Sequence, residues 1–166
     1  MEFWKKLNGV SAVALGVTLV AAALAVVADS SNADPYSRTA AALWLGVGLA
    51  STVGLAALTL FGERLLGRRE QLERYRVGLI AANVVWVAGL VSTTGIERPY
   101  WVLSVAPLLI AAVSMSRLRS FAIGLFATLA LGVAVLASGR VDSADAGYLV
   151  LILPLGPGIT WFVALL

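Results

Sequence analysis

Asn83 is the only amide inside the long apolar stretches of this 166-residue chain, where the other polar side chains are mild hydroxyls, among them Ser51, Thr52, Ser92, Thr93, Ser104, Thr128 and Thr160. An amide in such a setting hydrogen-bonds across helices, for about 0.6 kcal/mol on average, or lines a small polar cavity. A second feature is the run Pro154-Leu155-Gly156-Pro157-Gly158, which interrupts the last apolar stretch. Each proline lacks an N–H and crowds the carbonyl four residues earlier, here those of Val150 and Leu153. A helix must kink or break there, and the freed carbonyls need partners from neighbours or water. Asn83, Pro154, Gly156, Pro157, Gly158 and Thr160 therefore make up the candidate ligand-binding set. An ordinary kink that shapes packing is the competing reading, because proline and glycine are common in membrane helices.

Familiar catalysis finds little to work with. Cysteine and histidine are both absent, which removes disulfides, thiol chemistry, thiolate-held clusters and histidine-ligated metals. No Asp, Glu, Lys or Arg lies inside any long apolar stretch, whereas proton relays, ion paths and voltage sensors depend on such charges. A serine hydrolase would need a base beside its nucleophile, and no lysine follows position 6. The expectation is a protein that is not an enzyme, with no catalytic residue, metal or cofactor.

The elements that must position these residues follow from composition. The chain is 60% hydrophobic and 13% charged, while soluble domains carry about 25% charged residues. A helix needs about 20 apolar residues to cross a hydrocarbon core of about 30 Å. Six stretches qualify or nearly so: 9–28, 39–61, 77–94, 100–115, 121–138 and 147–166. The fold expected is all-α, a single polytopic membrane bundle over residues 1–166.

Charge sets its orientation. Lys5, Lys6, Arg64, Arg68, Arg69, Arg74, Arg76, Arg117 and Arg119 fall on one side of the alternation. Arg38, Arg98 and Arg140 fall on the other, with Asp29, Asp34, Glu97, Asp142 and Asp145. Basic residues gather in cytoplasmic loops, so both termini are expected inside a microbial cell membrane. The same distribution explains the sequence pI near 9.7 without nucleic acid. Asp34-Pro35 reads as a cap with proline at the first helical position. Lys5-Lys6 and the run to Ala28 resemble a signal peptide, but that apolar run exceeds the usual core of about 7–15 residues and is expected to be retained.

Helix association has its own signature. Ala42, Gly46, Ala50 and Gly54 recur every fourth residue, as do Gly124, Thr128 and Gly132. Small residues at that spacing let helix backbones approach closely, and these are the expected packing positions. Residues 62–76 carry Leu65, Leu72 and Tyr75, continued by Leu79, at helical spacing and a Glu70–Arg74 pair, so two helices extend past the apolar region with a break near Gly67. Trp4, Tyr36, Trp101, Tyr148 and Trp161 read as interface anchors. The stretch from Arg98-Pro99-Tyr100-Trp101 through Pro107 to Arg119 resembles the short helical hairpins in multi-span input modules of microbial sensor kinases and cyclases; it carries no functional residue over. The function expected is a non-catalytic membrane subunit or sensory module, whose partners are the bilayer and other membrane proteins or a second copy. The alternative is a small-solute transporter with its site at the broken sixth stretch.

Overall fold

The computed structural model describes residues 35–66, 69–94, 99–139 and 154–163. These form α1 (Pro35–Leu66), α2 (Arg69–Thr94), a 3₁₀ helix η1 (Pro99–Ser104), α3 (Val105–Ser114), α4 (Arg117–Ala137) and α5 (Leu155–Val163), with no strand among them. Three helical segments are long and apolar enough to cross a membrane: Thr39–Leu58, Glu70–Thr94 and Arg117–Ala137. The stretch 9–28, residues 147–153 and 164–166 of the last stretch, and the expected break at Gly67 lie outside the described residues.

Local chemistry sets the boundaries. Proline opens α1, where its missing N–H costs nothing. α2 closes on three consecutive hydroxyls: Ser92 and Thr93 donate back to the Gly89 carbonyl, and Thr93 and Thr94 to that of Leu90. These bonds satisfy the hydroxyls within the last turns of the helix, the usual back-bonding of serine and threonine to carbonyls three or four residues earlier. α4 ends at Gly139, whose φ of +65° is the left-handed conformation that terminates many helices.

The stretch 100–115 is two kinds of helix. η1 gives way to α3 at Val105, and Pro107 falls in the first turn of α3, where no N–H is required. The proline thus marks a change of winding rather than a kink inside one helix. Because 3₁₀ winding rises about 2.0 Å per residue against about 1.5 Å for α, the combined segment would reach about 27 Å if collinear. That compensates for its shortness.

α2 is the centre of the bundle. α1 packs along one side of it, and η1, α3 and α4 on others, while α5 rests on α3 and α4. One apolar cluster joins Ala41, Trp86, Val87, Leu90, Tyr100 and Leu131. A second joins Leu55, Ile80, Val84, Leu108, Ile123 and Ala127. Along α4 the buried face is Ser120, Ile123, Gly124, Ala127, Thr128, Leu131, Ala134 and Val135. Its outer face carries Leu118, Phe121, Leu125, Phe126, Leu129, Val133 and Leu136. The two hydroxyls, the buried glycine and two alanines face inward together with Ile123, Leu131 and Val135, and the outer face from Phe121 to Leu136 is apolar, as lipid rather than water favours.

At the polar end of α2, Arg74 pairs with Glu70 at 2.7 Å, both largely exposed. Glu73 pairs across the bundle with Arg119 of α4, also exposed to water. Exposed pairs contribute about 0–1 kcal/mol and are screened by salt. Glu73→Gln is therefore expected to lower thermal stability slightly at low ionic strength. A matched melt at about 1 M salt, where screening is nearly complete, should erase the difference between variant and parent.

Candidate functional site

Most of the buried polar side chains among the described residues lie at two places. The first is the seam between α1 and α2, which run antiparallel. Asn83 is buried there, and its Oδ1 accepts from Thr52 Oγ1 at 2.8 Å and from Trp86 Nε1 at 3.0 Å. Its amide nitrogen donates to the Leu79 carbonyl at 2.8 Å. One turn before Thr52, Gly48 lies under the Trp86 ring, so that an added Cβ would sit 2.6 Å from a ring carbon. One turn earlier the relation is reversed, with Trp44 of α1 lying on Gly89 of α2. Two tryptophans are thus seated in two glycine notches, and Asn83 locks the register beside them. An indole N–H in an apolar interior needs an acceptor, and Asn83 supplies it.

The second place is the crossing of α4 and α5. An ideal Cβ on Gly124 would lie 2.7 Å from the Gly156 carbonyl oxygen and 2.5 Å from Thr160 Oγ1. One on Gly156 would lie 2.5 Å from the Gly124 carbonyl oxygen and 2.6 Å from Thr128 Oγ1. Each helix contributes a glycine followed four residues later by a threonine, and the backbones touch at the glycines. Thr160 is fully buried and donates within its own helix, its Oγ1 lying 3.0 Å from the Gly156 carbonyl and 3.1 Å from that of Pro157. Phe121 and Trp161 meet edge to face beside this crossing, ring centres 5.8 Å apart.

The proline-glycine run lies at the start of α5 rather than inside it. Pro154 stands immediately before the helix and its carbonyl accepts from the Gly158 N–H at 2.9 Å. Pro157 falls in the first turn, where its missing donor is not needed. Pro154 and Gly158 are exposed, and Gly156 faces α4. Beside Gly156 is a cavity of about 10 Å³, lined by Trp101, Ser104, Leu108, Thr128, Leu131 and Ile159. That is space for roughly one water molecule. Asn83 and Thr160 do not share it. The Asn83 side chain is bonded to Thr52, Trp86 and the Leu79 carbonyl at the α1–α2 seam.

The expected packing positions divide. Gly124 is buried in the crossing, and a Cβ on Gly54 would meet Leu79 at 3.1 Å. Ala42, Gly46 and Ala50 are exposed, and nothing lies within 4 Å of a Cβ built on Gly46 or Gly132. The face that α1 turns to α2 is instead Ala41, Gly48, Ser51, Thr52, Leu55 and Leu58. Gly48, Gly89, Trp44 and Trp86 escaped the sequence reading. Their signal was a mid-span tryptophan with a glycine one turn on, at 44/48 and 86/89.

The described residues are all-helical, and three helices long and apolar enough to cross a membrane, with an apolar outer face on α4, suggest a membrane protein. Comparison with protein-family models, with curated proteins and with solved structures finds no match for this chain.

Proposed function

We propose that this chain is a non-catalytic integral membrane subunit or sensory module that acts through helix association. In this reading it crosses a microbial cell membrane six times, with both ends cytoplasmic. The observation that carries the proposal is the destination of the interior polar groups. Asn83, Thr52, Trp86 and Thr160 are committed to hydrogen bonds that join or brace helices, and the space beside the α5 start accommodates about one water. Groups that recognise a solute or drive chemistry would instead converge on an open volume.

α1 is the helix through which association is read. Only 28% of its apolar window is buried, against 50% for α2 and 44% for α4. Ala42, Gly46 and Ala50 on its open side would let the helix of a membrane partner approach closely. Gly46→Leu tests this, since the open space at Gly46 lets the isolated protein keep its melting temperature. The variant is expected to lose proteins that co-purify with the parent in mild detergent. Retention of every partner by a well-folded Gly46→Leu protein would overturn the assignment of that face.

The transporter reading keeps one supporting observation, the helix start at Pro154 near a small, mostly apolar void that Ser104 and Thr128 also line. A small solute that co-purifies at stoichiometry and raises the melting temperature would put that reading first.

A further inference from the structure

A cavity of about 220 Å³ opens between the polar end of α2 and the turn from α3 to α4, lined by Glu73, Arg76, Val77, Ser114, Ser116 and Arg119. We propose that it holds a phosphate group at the membrane–water boundary. Two guanidinium groups reach it from separate helices. Arg119 is paired with Glu73, which leaves Arg76 as the charge without a counter-ion; among the described residues it has no ion pair. The lining is therefore net positive, and its one carboxylate is already neutralised. A hydroxyl donor is supplied by Ser116, which makes no capping bond to α4, whereas the Ser114 proton is already given to the Ile110 carbonyl. Guanidinium forks match phosphate oxygens in two-point geometry, and hydroxyls complete such a site.

Position argues for the same chemistry. Glu73 and Arg76 stand just before α2 enters its apolar region, and Arg117 and Arg119 just before α4 enters its own. Basic pockets between membrane helices at that level receive lipid headgroups. The inference rests on the membrane reading and not on the association role.

The test is a thermal melt of the full chain in phosphatidylcholine nanodiscs with and without phosphatidylglycerol, and in detergent with and without inorganic phosphate. Each is repeated with Arg76→Gln and with Arg74→Gln, which removes the same charge from the same helix but outside the cavity. Stabilisation by phosphatidylglycerol alone, lost in Arg76→Gln and kept in Arg74→Gln, identifies the phosphate as a lipid's. Stabilisation by inorganic phosphate with the same dependence identifies a free anion. The apparent affinity should weaken about tenfold or more in Arg76→Gln, the effect of one charge-assisted contact. An equal response of the two variants, or no stabilisation by either source, overturns the site.

Discussion

Gly124→Ala is expected to lower the stability of the bundle by about 1–3 kcal/mol, the usual penalty for one methyl forced into a filled space. Gly156→Ala should do the same. Each new Cβ is aimed at a backbone carbonyl of the opposing helix, at 2.7 Å and 2.5 Å respectively. A side chain can rotate away from such a contact, but a carbonyl moves only if its helix moves. α5 has nine residues and rests on α3 and α4, so separating it from α4 unseats Thr160 as well. Thermal unfolding in detergent reads the loss, with Gly158→Ala as the control because its added methyl meets nothing within 4 Å. The double variant should cost less than the two single costs together, since the first methyl already parts the helices. Strictly additive costs would show that the two glycines do not share one crossing.

Asn83→Leu should rank beside it. Its removal strands two buried donors at once, the Thr52 hydroxyl and the Trp86 indole N–H. A buried group left without a partner costs about 1–3 kcal/mol, more than the average contribution of one interhelical bond in a membrane. Thr52→Val is expected to be mild by comparison, because Asn83 keeps Trp86. Adding Thr52→Val to Asn83→Leu should recover part of the loss by removing one stranded donor. Tryptophan fluorescence provides a second readout, since Trp86 loses its only described acceptor. Unchanged melting and emission in Asn83→Leu would show that the seam does not depend on this amide.

Some of this architecture is written plainly in the sequence. Spans appear as runs of apolar residues, and the α1 start is announced by Pro35. The exposed Glu70–Arg74 pair follows from helical spacing alone. The face of α1 that meets α2 is not announced in the same way. Ala42, Gly46 and Ala50 share the chemistry of Gly48 and Ser51, and in a helix that is apolar all round no polarity marks the inner side. Which small residue is buried depends on where Trp44 and Trp86 fall, and that is decided by the neighbouring helix. The winding change before Pro107 is similarly a property of packing: the proline permits it, but only the approach of η1 to α2 selects it. The Gly124–Gly156 crossing combines residues from distant stretches, so neither half reveals its partner. Asn83 was conspicuous as an isolated amide, yet its acceptor role needed the position of Trp86.

The seam between α1 and α2 also has a consequence for how the protein is made. Only two residues separate Leu66 from Arg69, so the tryptophan notches close between segments that leave the ribosome one after the other. Contacts between near neighbours in sequence form fastest. A finished pair of helices then stands ready as a wall before α4 and α5 are synthesised. Defects at Gly48 or Gly89 would therefore act early, exposing a nascent hairpin to quality-control proteases. Defects at Gly124 or Gly156 would act late, on a chain that has already been inserted and lacks only its closure. Pulse-labelled lifetimes of the two classes of variant should differ in when degradation begins, even where their equilibrium stabilities are the same.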